Sequence, residues 1–177
     1  ELLIHRITEV SNLTYRESKY GISNAELAEA YYDGSLQNDL KIPTTFEQLN
    51  LALEGGVMSK SLITIAAGAG VGKTGFSIFL LDSIARNQPN TQSLFFSLEM
   101  ESKHIWMRHV GIRSGMQFDK LSDQQRLESI ASALMVPIKI YDTAACRSAS
   151  DIDFILTTSR LKALEMPISV IVVDYLG

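Results

Sequence analysis

The chain has 177 residues, of which 46% are hydrophobic and 20% are charged, and its formal net charge is −4. This composition predicts a globular domain with a substantial core, and it excludes a disordered chain or one that binds nucleic acid through bulk basicity. Cys146 is the only cysteine, which excludes an intrachain disulfide and a cysteine zinc cluster and favours a reducing cytoplasm. No apolar run in the sequence is long enough to span a membrane.

Residues 1–41 are more polar than the rest and contain no run typical of a strand. Within them, Ser23-Asn24-Ala25-Glu26 is typical of a capping box that begins a helix, and Gly34 is expected to end it. We therefore predict a helical linker segment over residues 1–41 and a separate domain over residues 42–177. That domain is expected to begin with a short helix, capped from Thr44 and ended by Gly55-Gly56.

From residue 61 onward, short apolar segments alternate with helical patterns. This rhythm predicts the α/β class, with a parallel sheet and crossover helices. The expected strands cover residues 62–66, 93–97, 137–141 and 168–173. The expected helices cover residues 73–87, 102–114, 122–134 and 150–164, with Ser122 and Ser150 as N-caps.

A glycine-rich segment lies between the first of these strands and the first crossover helix. Its residues are Ala67, Gly68, Ala69, Gly70, Val71, Gly72, Lys73 and Thr74. The glycines let successive backbone N–H groups point inward, and the N-terminus of the following helix favours anions. The segment has the relaxed form of the motif, with alanine at the first position. It predicts a phosphate-binding loop for a nucleoside triphosphate, with Lys73 on the β- and γ-phosphates and Thr74 on Mg²⁺.

Two acidic residues follow expected strands, namely Asp174 and Glu99. Because the carboxyl ends of parallel strands meet at one edge of a sheet, both are expected at the edge where ligands bind. There Asp174 is suited to contact Mg²⁺, directly or through water, and Glu99 to position the attacking water. On spacing alone, Glu99 fits equally well as an acid in the first turn of the next helix. For Asp174 the alternative is an acid that merely begins a loop.

Five features that occur in this order resemble the RecA-like motor domain of DnaB-type replicative helicases. They are Ile42-Pro43-Thr44-Thr45-Phe46, the loop 67–74, Phe96-Ser97-Leu98-Glu99-Met100 followed by Arg108, Asp142-Thr143, and Val172-Val173-Asp174-Tyr175-Leu176. The resemblance covers residues 42–177 and implies a RecA-like P-loop NTPase fold with helices on both faces of the sheet. It also implies ATP and Mg²⁺ as cofactors.

The same resemblance implies roles for individual residues. Glu99 matches the catalytic glutamate, Lys73 is the catalytic lysine of the loop, and Asp174 matches the Walker B acid that manages the metal together with Thr74. For Arg108 it implies a contact to the nucleotide or to a neighbouring subunit, although an exposed surface position is the alternative.

At the level of the whole protein, the resemblance implies an ATP-dependent DNA helicase that acts in DNA replication. The expected assembly is a homohexameric ring that moves along single-stranded DNA, with primase and a helicase loader as further partners. Residues 1–41 then correspond to a linker whose helix docks on a neighbouring subunit, unless that helix covers its own domain. The chain stops after an apolar strand pattern, and Gly177 stands where a glutamine is common. We therefore expect a fragment unable to unwind DNA alone, from a bacterial or phage protein of the cytoplasm.

Two other functions stay open. One is a different RecA-like ATPase with the same chemistry and another partner. The other is a nucleotide-regulated DNA-binding or loading module without hydrolysis, suggested by Gly68-Ala69 where the family commonly has Arg-Pro. On the helix after Glu99, Arg113 is expected to be solvated and Trp106 to be part of the core. His109 has no partner cluster with ligand spacing, so no histidine metal site is expected.

Overall fold

The computed structural model describes residues 28–29, 31–33, 40–142 and 151–174. The chain divides between residues 40 and 41 into two compact units. In the first unit, residues 28–29 and 31–32 are helical. The capping box expected at residues 23–26 and the helix end expected at Gly34 lie outside the described residues, as does the predicted N-cap Ser150.

The second unit is built from strands and helices that alternate along the chain, as the α/β prediction requires. The strands are β1 (Lys41–Ile42), β2 (Val57–Met58), β3 (Gln92–Ser97), β4 (Ile138–Tyr141) and β5 (Ile168–Asp174). The α-helices are α1 (Glu47–Ala52), α2 (Lys73–Arg86), α3 (Ser102–Ser114), α4 (Asp123–Leu134) and α5 (Asp151–Glu165), and a 3₁₀ turn spans Phe118–Lys120.

The main sheet has three parallel strands in the order β4-β3-β5. All six residues of the central strand β3 are buried, as expected for a strand covered on both faces. Residues that alternate along a strand face opposite sides of the sheet, so each strand supplies two separate packing surfaces. The sheet therefore sits in the middle of the unit and fixes where the strand ends meet.

Helices cover both faces of this sheet. On one face, Phe95 packs with Ile78 and Leu81 of α2 and with Ile105 of α3. On the other face, the ring of Phe96 stacks on the ring of Tyr141 of β4. It also meets the ring of Phe154 of α5 edge to face, and the centroids of these two rings are 6.0 Å apart. This arrangement confirms the predicted α/β class with helices on both faces.

The strand predicted over residues 62–66 is absent. This segment forms no ladder in the structure, and Leu62 is 95% exposed and Ile63 45% exposed. Ile65 alone packs inward, against the cluster that contains Leu80 and Ile84. A strand needs backbone partners as well as apolar side chains, and in the described part of the chain residues 62–66 form no backbone ladder with any strand. The main sheet therefore has three strands where the sequence predicted four.

The helix ends follow the predicted caps at α4 but not at α1. Ser122 and Gln125 form the reciprocal capping box that begins α4. Helix α1 begins at Glu47 instead of after Thr44, because the Thr44 backbone N–H and hydroxyl both donate to Asn50 Oδ1, at 2.7 and 2.8 Å. The threonine is thus bound to the second turn of α1 and does not cap the first.

Candidate nucleotide-binding site

The predicted phosphate-binding loop leads directly into α2. Gly70 and Gly72 have φ values of 74° and 103°, a left-handed conformation that residues with a side chain rarely adopt. Gly72 is the N-cap of α2, and no side chain caps that end of the helix. The first amides of α2 therefore have no side-chain acceptor, which is the arrangement that an anion can complete.

Lys73 lies folded against this loop. Its Nζ donates to the backbone oxygens of Ala67 at 3.0 Å and Gly68 at 3.1 Å, and both hydrogen bonds are exposed to solvent. Exposed hydrogen bonds of this kind contribute little net stability, so the flexible side chain can exchange them for a charged acceptor. These hydrogen bonds keep Lys73 beside the loop whose bound phosphates it is predicted to contact. Thr74 follows it in the first turn of α2, half-buried.

Asp174 and Glu99 both lie at the carboxyl edge of the sheet. Asp174 is the last residue of β5, is 7% exposed, and stands opposite Ser97, the last residue of β3. The backbone N–H of Leu98 donates to the Asp174 backbone oxygen at 2.7 Å, which ties the loop after β3 to the end of β5. Glu99 is the next residue along this loop and is exposed. Both acids therefore lie at the same edge of the sheet, as predicted from the parallel arrangement of the strands.

The residue at which α3 begins excludes the alternative that Glu99 lies in the first turn of that helix. The helix begins at Ser102 with Glu101 as its N-cap, so Glu99 precedes the first turn. It lies in a bend between β3 and α3, where a side chain can face a ligand instead of the helix dipole. Its catalytic role stays a prediction. Arg108 lies in the middle of α3 and is exposed, and the structure gives it no ion pair or hydrogen bond within the described part of the chain.

The expectation that Arg113 is solvated is wrong. Its side chain is only 13% exposed, and its Nη1 donates to Asp82 Oδ2 at 3.4 Å. Its Nε and Nη2 donate to the hydroxyl and backbone oxygens of Ser132 on α4, both at 3.0 Å. The buried His109 Nε2 lies 2.8 Å from Asp82 Oδ1, and Arg86 pairs with the same carboxylate. Asp82 thus joins α2 to α3 directly, and Arg113 extends the network to α4.

This ionic network was missed by sequence analysis, although one signal pointed to it. Asp82 interrupts the apolar side of α2, next to the buried Leu81 and Ile84, and it is itself 1% exposed. An unpaired charge at such a position is costly, so a buried acid predicts partners from other elements. Trp106, by contrast, packs as predicted, half-buried against the cluster around Val110.

The residues predicted to manage a metal fit magnesium. Mg²⁺ prefers hard oxygen ligands and is usually held by one or two carboxylates together with substrate phosphates. Asp174 supplies a carboxylate and Thr74 a hydroxyl of this type. Among the described residues there is no group of three His, Cys, Asp or Glu side chains that could hold a metal by itself. A metal at this site would therefore depend on phosphate oxygens of the nucleotide.

No helix in the described part of the chain is both long and apolar enough to cross a membrane.

Comparison with known proteins gives consistent matches. The sequence model of the family described as "DnaB-like helicase C terminal domain" matches residues 41–177. A curated protein of Synechocystis sp. named "Replicative DNA helicase DnaB" is 31% identical over 144 residues, which is 76% of this chain and 16% of that protein. Proteins of the same name from Mycoplasma genitalium and Mycoplasma pneumoniae are each 31% identical, over 134 and 137 residues, which is 70% of this chain and 28% of each protein.

The chain thus spans at most 28% of the length of these three relatives. The matched region contains the glycine-rich loop and both acids of the carboxyl edge. These findings confirm the family resemblance and the RecA-like fold that it implied. The chain belongs to the family of DnaB-like helicase C terminal domains.

Proposed function

We propose that this chain is part of an ATP-dependent replicative DNA helicase and forms a large part of its motor domain. The motor couples hydrolysis of Mg-ATP to movement along single-stranded DNA and to duplex unwinding. The observation that carries the proposal is a glycine-rich loop at a helix N-terminus combined with Glu99 and Asp174 at one sheet edge, in a chain of this helicase family. Three relatives named replicative DNA helicases support it.

Each residue of the site has a separate task in this proposal. The loop amides of residues 67–72 and the Lys73 ammonium bind the β- and γ-phosphates. Thr74 and Asp174 would hold Mg²⁺, which neutralises charge on the phosphates. Glu99 accepts a hydrogen bond from the attacking water, aligns it with the γ-phosphorus, and takes up the proton that the water loses as its oxygen bonds to phosphorus. The exposed Arg108 is proposed to contact the nucleotide or a neighbouring subunit.

The partners follow from the family and are equally proposals. The complete protein is proposed to form a homohexameric ring around single-stranded DNA and to work with primase and a helicase loader in the bacterial or phage-infected cytoplasm. Residues 1–41 would serve as the linker to a neighbouring subunit. The net charge of −4 makes nonspecific attraction to DNA weak, so DNA contacts should come from local groups facing the strand.

The proposed chemistry can be tested by separating nucleotide binding from turnover in the complete gene product. Lys73→Ala removes the charge that faces the phosphates, and we expect loss of ATP affinity by about 100-fold, since a hydrogen bond between charged groups is worth up to about 3 kcal/mol. Glu99→Gln keeps the shape of the side chain but cannot accept a proton. It should bind ATP as the wild type does and lose turnover by about 100-fold or more.

Glu47→Gln is the matched control for Glu99, because Glu47 is also an exposed glutamate but lies on α1, outside the loop and the carboxyl edge. It should retain wild-type binding and turnover. Retained hydrolysis in Glu99→Gln would refute the role of Glu99. Tight ATP binding without turnover in the wild-type protein would instead favour a nucleotide-regulated DNA-binding or loading module.

A further inference from the structure

The loop that carries Glu99 is short and is fixed on both sides of that residue. It comprises residues 98–101, between the end of β3 and the start of α3. The Glu99 side chain itself is exposed, so its position depends on the backbone that presents it. The groups that hold the backbone of residues 98–102 therefore determine where the Glu99 carboxylate lies.

The first of these groups is the hydroxyl of Ser97. Ser97 is 0% exposed, and its Oγ accepts a hydrogen bond from the backbone N–H of Met100 at 3.1 Å. This bond closes a tight turn around Glu99, because it joins the residue two positions before it to the residue after it. The Met100 side chain packs on the buried cluster that contains Phe95 and Ile105. Solvent cannot readily replace a hydroxyl buried to this degree.

The second group comes from the neighbouring strand. Asp142 follows β4 directly, and its Oδ2 accepts a hydrogen bond from the backbone N–H of Ser102 at 2.9 Å. Ser102 is the first residue of α3, where a carboxylate also interacts favourably with the helix dipole. The carboxyl end of β4 thus fixes the far end of the loop. Together with the bond from the Leu98 N–H to Asp174, both neighbours of β3 hold the segment around Glu99.

We propose that Ser97 and Asp142 are positioning residues for Glu99. Neither needs to touch the nucleotide. They fix the backbone on either side of Glu99 so that its carboxylate stays at the sheet edge beside Asp174, in the one geometry that can align the attacking water. This inference rests on the proposed role of Glu99 in hydrolysis. Misplacement of a catalytic group by about 1 Å can cost about 100-fold in rate, which makes a rigid loop a requirement.

The chain offers a matched control for Ser97. Ser93 lies on the same strand, is also 0% exposed, and also has a bonded hydroxyl, 2.9 Å from the hydroxyl of Ser169. It differs from Ser97 in lying near the amino end of β3, away from the Glu99 loop. The substitutions Ser97→Ala and Ser93→Ala therefore remove equivalent buried groups, and only the first releases the loop.

The experiment measures ATP turnover, nucleotide affinity and amide hydrogen exchange on the complete gene product. Ser97→Ala and Asp142→Ala should each lower kcat about 10- to 100-fold with little change in KM or in nucleotide Kd, whereas Ser93→Ala should keep the wild-type kcat. Asp142→Asn retains an acceptor oxygen and should restore most of the turnover lost in Asp142→Ala. Without nucleotide, the amide of Met100 should exchange about tenfold faster in Ser97→Ala, because one hydrogen bond is lost.

Glu99→Gln in the same assay separates the two levels of the proposal. If Glu99→Gln abolishes turnover while Ser97→Ala and Asp142→Ala keep the wild-type kcat, the positioning role is wrong and the role of Glu99 stands. If Glu99→Gln itself keeps its turnover, the role of Glu99 is wrong and the inference falls with it. An equal loss of kcat in Ser97→Ala and Ser93→Ala would show a general effect of the strand and would also overturn the inference.

Discussion

Gly72 determines the conformation of the phosphate-binding loop where it joins α2. Its φ of 103° lies in a region that a side chain makes costly, and it serves as the N-cap of the helix. Space is not the restriction, since a Cβ on Gly72 would meet no atom within 4 Å. The glycine is therefore required by backbone conformation alone.

Substitution of Gly72 tests this requirement, and the neighbouring Gly75 provides the control variant. Gly72→Ala should lower the free energy of unfolding of the domain by about 1–2 kcal/mol, because alanine must be strained to keep the loop conformation. Gly75 lies inside α2, where a Cβ would also meet no atom within 4 Å, and it has no positive φ. Gly75→Ala should instead raise stability by up to about 1 kcal/mol. Urea denaturation of both variants measures the difference, and equal effects would contradict this account of the loop.

At the level of secondary-structure elements, an ionic network centred on Asp82 holds three helices together. Helix α2 begins at the phosphate-binding loop and α3 follows the loop that carries Glu99, so the ionic network joins the helices behind the two halves of the site. Arg113 extends the network to α4 through Ser132. A buried network of this kind specifies one packing of the helices, because few other arrangements would satisfy its charges.

Removal of the Asp82 carboxylate should therefore lower the free energy of unfolding substantially. Asp82→Ala leaves Arg113 and His109 without their shared acceptor, and we expect the free energy of unfolding to fall by about 3–5 kcal/mol. Asp119→Ala, at an exposed aspartate of the 3₁₀ turn, is the control and should change stability by no more than about 0.5 kcal/mol. The measurement is urea denaturation at neutral pH. A loss below about 1 kcal/mol for Asp82→Ala would show that the network contributes little.

The same network predicts an acid dependence of stability. Burial raises the pKa of Asp82, but the hydrogen bond to His109 and the charges of Arg113 and Arg86 outweigh it and hold the pKa below its ordinary value of 3.8. Near that pH the unfolded state binds more protons than the folded state. The contribution of Asp82 is thus complete well above pH 4 and is lost as the pH falls below it.

The matched variant for this prediction is Asp82→Asn, which cannot titrate. The stability difference between wild type and Asp82→Asn should shrink as the pH is lowered from about 5 to about 3, because only the wild type loses an ionised carboxylate. The measurement is the urea midpoint at each pH. A difference that stays constant over this range would mean that the pKa of Asp82 is the same in both states. The other acidic residues titrate in both proteins, so their contributions cancel in the stability difference.

At the scale of the whole molecule, the features predicted best are those set by local sequence. Strand β3 was predictable because it is a short apolar run, and α4 because Ser122 and Gln125 form a capping box. The shared edge of Glu99 and Asp174 followed from the parallel arrangement alone. This part of the candidate site therefore required no knowledge of side-chain contacts.

The features that escaped prediction depend on contacts between distant parts of the chain. Residues 62–66 have the side chains of a strand, but pairing also needs a neighbouring backbone, which sequence periodicity does not report. The burial of Arg113 depends on Asp82, 31 positions away. The support that Asp142 gives to the Glu99 loop spans 40 positions. The sequence marks Asp82, as an acid on the apolar side of its helix, and Asp142, as part of a family motif, but it does not show which distant groups they contact.

The central claim is that this chain belongs to an ATP-driven motor that moves on single-stranded DNA. The most direct test is the ATPase rate of the complete gene product with and without single-stranded DNA, with Glu99→Gln measured in parallel. The account predicts turnover that single-stranded DNA stimulates and that Glu99→Gln loses under both conditions. A turnover that is unchanged by DNA, or absent in the wild type despite tight ATP binding, would contradict it.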